Sequence, residues 1–325
     1  MRIKIDEMRR FCVDILVKRG ISEKSSEIIV NEYLYGELTG KENHGLISFK
    51  DFVENKIQHV HDRWSIVKED ENYALIDGHE NVGHLVGKYA MDLALEKAKN
   101  KGISLVGMYN MRAYLMPGYY AKMASDNDMI GIAINNTSSH VAPFGGIDPK
   151  MGTNPIGLSI PTEKEPYILD MATSIRALGE VRLAKKLETF IPEGMAMDKD
   201  GNPTVDPNKV YSLRSAGYKG YGLCLAIEML AGAFIRGKMG SKVKESIDRG
   251  YLFIVIDPTL FTDIDVFKKE ISELISEIKS SRKIDEVKEI LIPGERSMKK
   301  LKSHLNDGFI DLDDHIWEDI KSLSN

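Results

Sequence analysis

The chain has 325 residues, 42% hydrophobic and 29% charged, with 44 Lys and Arg against 49 Asp and Glu and a formal net charge of -5 at pH 7. The apolar content excludes a disordered chain, and the acidic balance excludes a protein built mainly to neutralise a phosphate backbone, which needs a basic excess gathered on one face. The length suits one large or two medium domains, because single cores stop growing at about 250–300 residues.

The opening Met-Arg-Ile-Lys-Ile-Asp-Glu mixes charges and lacks the apolar core of a signal peptide, so export is not expected. Residues 6–61 read as helices: Met8, Cys12, Ile15 and Leu16 stand at helical spacing, a second run goes from Ser22 to Gly40, and a third starts near residue 46. Two strands, 64–67 and 73–76, form a hairpin around Asp70-Glu71-Asn72. Helical spacing returns over 82–101 and stops at Gly102, a left-handed cap, before a strand over 103–108. Short apolar strands at 129–135, 156–160 and 167–170 then alternate with Gly-, Pro-, Asn- and Ser-rich turns. Such strands need a sheet, and the turn-rich 136–155 is long enough to be functional surface. Helices are expected at about 174–189 and 221–237, a last strong strand at 251–256, and a charged helical tail beyond Asp257-Pro258. The most apolar stretch, 221–234, is shorter than the roughly 20 residues a bilayer needs and carries Glu228, so it reads as a buried helix with no membrane partner. The only cysteines, Cys12 and Cys224, are far apart, which offers neither a disulfide framework nor a zinc site and fits a reducing, cytoplasmic setting.

Several chemistries lack their motif. No G-x-G-x-x-G follows a strand, and there is no Walker A, G-x-S-x-G, H-E-x-x-H or His/Asp/Glu cluster at ligand spacing, so no metal is expected. Gly217-Tyr218-Lys219-Gly220-Tyr221-Gly222 enters the apolar helix. Backbone N–H groups at a helix start, with a lysine beside them, suit a phosphate or another anion; alternatively the glycines only let the helix pack closely. The densest polar segment runs from Asn135 through Thr137, Ser138 and His140 to Gly146, followed by Gly152-Thr153-Asn154-Pro155. It either wraps a polar ligand or forms ordinary side-chain turns. Leu169-Asp170-Met171-Ala172-Thr173-Ser174 is a strand running into a helix, with Thr173 or Ser174 as its N-cap, or an acid placed to grip a ribose hydroxyl. Of eight histidines, His44 and His140 stand in polar loops, where an imidazole serves as general acid or base or as a structural group.

Taken together these segments resemble the type-2 malate/L-lactate dehydrogenase family, which also holds sulfolactate, ureidoglycolate and diketogulonate dehydrogenases and a cyclic imine reductase. The likeness runs through most of the chain in ordered motifs: His44-Gly45, Gly118-Tyr119-Tyr120-Ala121, Ala142-Pro143-Phe144-Gly145-Gly146, Gly152-Thr153-Asn154-Pro155, Leu169-Asp170-Met171-Ala172-Thr173, Ile191-Pro192-Glu193-Gly194, Lys219-Gly220-Tyr221-Gly222 and Pro293-Gly294-Glu295. The resemblance implies an α/β (α+β) fold with a non-Rossmann, mainly antiparallel central sheet that binds NAD or NADP, flanked by helices from both termini. It divides the chain into a discontinuous helical substrate and dimer unit, 1–125 with 286–325, and a cofactor-binding sheet unit, 126–285. A homodimer is implied, moving a hydride between the nicotinamide and a small 2-oxo or 2-hydroxy acid, so the partner is a small carboxylate and not a nucleic acid. The cofactor residues carried over are Thr137, Asp170, Met171, Ala172, Thr173, Ser174, Lys219, Gly220, Gly294 and Glu295, and His44 is the acid/base that shuttles the proton of the substrate hydroxyl.

The departures fall where substrate is held. The family's Ser-His-Gly-x-x-Arg reads Asn43-His44-Gly45-Leu46-Ile47-Ser48, and a serine cannot replace a bidentate cation. The family's Ser-Asn-His-Phe-Gly reads Met111-Arg112-Ala113-Tyr114-Leu115, and Ser138 stands where an acid is frequent. The expected substrate contacts are Asn43, Ser48, Arg112 and His140, with Arg112 restoring the carboxylate clamp. Alternative readings are an imine reductase of the same family and a cofactor-binding sensor without turnover. Arg176 either meets a 2′-phosphate or is a solvated surface arginine, which leaves NAD against NADP open.

Overall fold

The computed structural model describes residues 1–324, so Asn325, the last residue of the expected helical unit, lies outside the described residues. After a short strand β1 (Arg2–Lys4), α1 (Ile5–Val17) buries Met8, Cys12, Ile15 and Leu16, the stripe its spacing predicts. α2 (Glu23–Leu38) starts where the Ser22 hydroxyl accepts the Ser25 N–H. Two 3-10 turns, Glu42–His44 and Leu46–Ser48, lead into α3 (Phe49–Asn55). The expected hairpin forms as β2 (Ser65–Asp70) and β3 (Tyr73–Asp77), with an irregularity between Ile66 and Lys68. α4 (Gly83–Lys101) ends at left-handed Gly102, and β4 (Ile103–Tyr109) follows. A helix the sequence reading did not include, α5 (Pro117–Ser125), begins on Pro117 in its first turn. Then come β5 (Ile130–Asn135), β6 (Val141–Ala142), β7 (Ile156–Ile160) and β8 (Tyr167–Met171).

The helix expected over 174–189 is shorter, α6 (Leu178–Lys186), and neither Thr173 nor Ser174 caps it. The Thr173 hydroxyl instead donates to the Thr153 carbonyl at 2.9 Å, and that of Ser174 to the Arg176 carbonyl at 2.7 Å. The first ties the segment to the 153–154 loop, and the second closes a local turn. β9 (Ala196–Met197) and β10 (Ser212–Arg214) precede α7 (Gly217–Ala231), which starts earlier than expected and stops at Gly232. β11 (Gly250–Ile256), α8 (Ile264–Ser280), α9 (Glu295–Asp307), β12 (Phe309–Asp311) and α10 (Asp314–Ser322) complete the chain.

Seven strands make the main sheet in the order β2-β3-β4-β11-β5-β7-β8. β3 and β4 pair in parallel, and the other neighbours pair antiparallel. Because β11 is central, its alternate residues feed two cores. Tyr251, Phe253 and Val255 pack with Val86, Ala90 and Met91 of α4 and Ala121 of α5. On the opposite face Leu252 packs with Ile227 and Ala231 of α7. The fold is thus a mixed α/β sheet flanked by helices, and its strands come from both sides of residue 125. A separate core joins α1, α2 and α3 to Ile310 and Leu312 at β12 and to Ile320 of α10. There β1 and β12 pair antiparallel, Arg2 opposite Asp311.

The reading of 221–234 as a buried helix holds for one face only. Cys224, Ile227, Glu228 and Ala231 are buried, whereas Leu225, Met229, Leu230 and, just beyond the helix, Phe234 are exposed. The stretch Gly217–Ile235 is long and apolar enough to cross a membrane, and 33% of it is buried. Glu228 fixes it to the body of the protein, since its carboxylate accepts hydrogen bonds from the Asn136 and Asn154 amides and the Gly240 N–H.

Candidate active site

His44 is set by the end of α2. An alanine at Gly36 would drive its Cβ into the His44 carbonyl, so only glycine lets this turn lie against the helix. The turn brings Lys41 onto Asp170, at the end of β8 and 129 residues away in sequence, in an ion pair whose side chains are 27% and 10% exposed. Asp170 and Lys41 are the charged groups that act on His44. Burial pushes the imidazole below the ordinary histidine value, Asp170 draws it upward and Lys41 pushes it down. The net result is a neutral ring at pH 7, able to accept a proton. Asn43 lies against Gly179 of α6, where a Cβ would sit 3.3 Å from its amide nitrogen. The Ser48 hydroxyl donates to the Asn43 carbonyl at 3.1 Å and braces the turn.

Of the expected cofactor residues, Thr173, Lys219 and Gly220 meet at the start of α7. Ala216 N–H donates to the Thr173 carbonyl at 3.1 Å, and a Cβ at Gly220 would come within 2.8 Å of the same oxygen, so the helix closes on the 170–174 segment only because residue 220 is glycine. Lys219 is exposed on the first turn, with Met171 exposed and Ala172 half-buried nearby in the segment. A cleft of about 440 Å³ opens beside this turn, lined by Pro143, Phe144, Ile147, Ile175, Arg214 and Gly217 among others, within the ~300–1,000 Å³ common for small-molecule sites. Thr137 joins through hydroxyls: its Oγ1 lies 3.3 Å from that of Thr153, and its N–H donates to Asn154 Oδ1 at 3.0 Å. Gly294 stands against β8, where Ile168 N–H donates to the Pro293 carbonyl. Glu295 is engaged by the protein itself. Partial burial alone would raise its carboxyl, but hydrogen bonds from Lys279, the Ile292 N–H and Lys299 outweigh that and hold it down to about 2.

The substrate-side residues divide. Arg112 reaches Glu80 at 3.1 Å and Glu245 at 3.5 Å, both exposed carboxylates. His140 hydrogen-bonds through its backbone to Met151 and Leu213, and its ring is lowered by burial and then by Arg182 and Arg249. Among the described residues no ion pair or hydrogen bond joins Arg112 to the Lys41–Asp170 pair.

Three functional groups went unread in the sequence. Lys41 looks like an ordinary helix-end lysine, and nothing in spacing signals a partner so distant. Glu32 stands three residues after Ile29, on the apolar face of α2, and that position was the available signal. Its Oε1 accepts the Leu115 and Met116 N–H groups at 2.7 and 3.3 Å, and its Oε2 accepts the Tyr120 hydroxyl at 2.8 Å. These bonds fix the start of α5, where Gly118 backs onto Asp170. Glu228 was legible as a charge in an apolar run, but its hold on the Asn136 and Asn154 loops was not.

The family model for malate/L-lactate dehydrogenase matches residues 3–321. A malate/(S)-sulfolactate dehydrogenase from Methanothermus fervidus is 39% identical, covering 100% of this chain and 98% of the relative. Among solved structures, the sulfolactate dehydrogenase from Methanocaldococcus jannaschii superposes with a TM-score of 0.90 at 37% identity, covering 100% of this chain and 97% of that one. Malate dehydrogenase from Entamoeba histolytica gives a TM-score of 0.93 at 25% identity, with coverage of 100% and 97%. With the family match nearly end to end and a relative this similar over its full length, the chain belongs to the malate/L-lactate dehydrogenase family.

Proposed function

We propose that the protein is an NAD(P)-dependent oxidoreductase that moves a hydride between the nicotinamide and a small 2-oxo or 2-hydroxy acid. The observation that carries this reading is the meeting of His44, Lys41 and Asp170 at the end of β8, one short loop from the glycine-opened start of α7. The nucleotide fits the residues present. The positive end of the 15-residue α7 and the exposed Lys219 on its first turn suit a phosphate, and the adjoining cleft has apolar walls for a base or ribose. Thr137, Thr173, Ser174, Gly220 and the Gly294 turn would hold it on this edge of a mainly antiparallel, non-Rossmann sheet. When bound, the nicotinamide supplies the hydride donor or acceptor.

The chain's own residues manage the proton. In the oxidative direction neutral His44 takes the hydroxyl proton as the C–H hydride departs and the C=O forms; Asp170 faces the resulting imidazolium and offsets its charge. In the reductive direction the protonated ring returns that proton to the carbonyl oxygen. Asn43, Ser48, Arg112 and His140 line the substrate side. The helical segments 1–125 and 286–325 would carry substrate and dimer contacts, and 126–285 the cofactor. The exposed apolar face of α7 supports a homodimer, because a patch of this kind is covered in stable assemblies and a second copy brings the same patch to it. A cytoplasmic site of action fits two reduced, buried cysteines.

The test follows NADH and NADPH absorbance against a panel of 2-oxo acids and cyclic imines. Turnover of a 2-oxo acid is expected, and His44→Asn is expected to keep nucleotide affinity while losing about 10²–10⁴ in kcat. Preference for the imines would assign the reductase reading, and nucleotide binding without turnover would assign a sensor.

A further inference from the structure

The arginine that the family pattern has at position 48 is serine here, and the Ser48 hydroxyl is spent on the Asn43 carbonyl. Arg112 is answered by two carboxylates. The Arg249 guanidinium is not. Arg249, half-buried just before β11, makes no ion pair among the described residues; its Nη2 approaches Ser138 Oγ at 3.5 Å, and Ser138 itself leans on the Lys244 carbonyl at 3.4 Å. Arg249 Nε and Ser139 Oγ are buried without a hydrogen-bond partner, as is Arg112 Nε. Tyr251 is 1% exposed, and the Arg249 guanidinium lies beside its hydroxyl. His140 stands between Arg249 and Arg182, and its ring feels both cations. So many buried donors without an acceptor are costly unless an anion answers them.

The cluster connects to both halves of the candidate site through its neighbours. Ser138 directly follows Thr137, which is bonded through Thr153 to the Thr173 segment; Arg182 lies one helical turn along α6 from Gly179, against which Asn43 packs beside His44.

We propose that Arg249, beside the Ser138 and Tyr251 hydroxyls, binds the acid group of the substrate, supplying from the start of β11 the cation missing at Ser48. This rests on the oxidoreductase reading and specifies its substrate: a small molecule with a carboxylate or sulfonate held at Arg249 and its reacting carbon toward His44. A guanidinium is always charged and grips such a group through two parallel N–H bonds.

The test measures the dissociation constant of oxamate, an unreactive 2-oxo acid analogue, on the NADH-loaded protein by nucleotide fluorescence. Arg249→Gln is expected to weaken oxamate by on the order of 10²-fold with NADH affinity unchanged. Arg249→Lys, which keeps charge and bulk, is expected to lose about tenfold, and Arg112→Ala a smaller factor than Arg249→Gln. Oxamate affinity within threefold of wild type in Arg249→Gln, or a larger loss in Arg112→Ala, overturns the assignment. A wild-type chain that binds neither NADH nor NADPH overturns the oxidoreductase reading instead, and the anion site is then judged by direct oxamate calorimetry on the same variants.

Discussion

Lys41 acts on His44 twice, once through its own charge and once by pairing with the Asp170 carboxylate. Replacing it with methionine removes the group that lowers the imidazole and frees the one that raises it, so the His44 pKa moves up. Oxidation needs the neutral ring, and the acidic limb of its kcat/KM profile is expected to shift to higher pH in Lys41→Met; reduction needs the protonated ring, and its alkaline limb shifts the same way. pH profiles in both directions check this, and limbs that stay in place would remove Lys41 from the reaction. At this scale the sequence made His44 and Asp170 legible because both stand in short polar motifs. Lys41 and Arg249 were not legible, because their meaning depends on what a distant strand brings opposite them.

At the scale of elements, Glu32 is the joint between α2 and α5. Burial pushes its carboxyl up to about 7, against hydrogen bonds from Tyr120 and the Leu115 and Met116 N–H groups that pull the other way. A folded-state value above the unfolded one means that the protonated group stabilises the fold fully below about pH 4.5, and that this contribution is lost as pH rises through about 7. Nearby His84, pushed down to about 3 by burial, works in the opposite sense as pH falls below its ordinary value. Glu32→Gln keeps an acceptor for the backbone N–H groups and does not titrate. Its stability relative to wild type is therefore expected to rise by about 3 kcal/mol between pH 4.5 and 7.5. Urea unfolding at a series of pH values reads the difference; a constant offset would mean that the carboxyl does not titrate in this range. The longer elements were legible from period alone. α5 was not, since its nine residues Pro-Gly-Tyr-Tyr-Ala-Lys-Met-Ala-Ser carry two weak helix formers at the start and owe their helix to Glu32 and to packing on β5 and β7. Residues 174–177 are not helical because their polar groups bond elsewhere: the Ser174 hydroxyl donates to the Arg176 carbonyl and the Ile175 N–H to the Arg214 carbonyl.

For the whole molecule, the pairing of distant strands did not follow from charge balance or length. β11 lies between β4 and β5, which no local pattern could state. The face of α7 that carries Leu225, Met229 and Leu230 is as apolar as a core and remains uncovered within one chain. Leu230→Glu is expected to turn a dimer into a monomer in light scattering while leaving the circular dichroism spectrum intact, because Leu230 is exposed and makes no part of the sheet's cores. A monomeric wild type would leave that face without the proposed partner.

The two cysteines have a practical meaning beyond the compartment they suggest. Cys12 is fully enclosed in the helical core, where burial pushes its thiol up to about 12, and Cys224 is buried on the inner face of α7 with its thiol also raised by burial. Alkylating reagents attack the thiolate, so the folded chain presents almost nothing for them to modify. The protein is in effect blank to maleimide chemistry. A single cysteine introduced on the exposed Tyr218 ring position, at the mouth of the cleft, would be the one labelled atom in the molecule, and a dye there would report nucleotide arrival against a silent background.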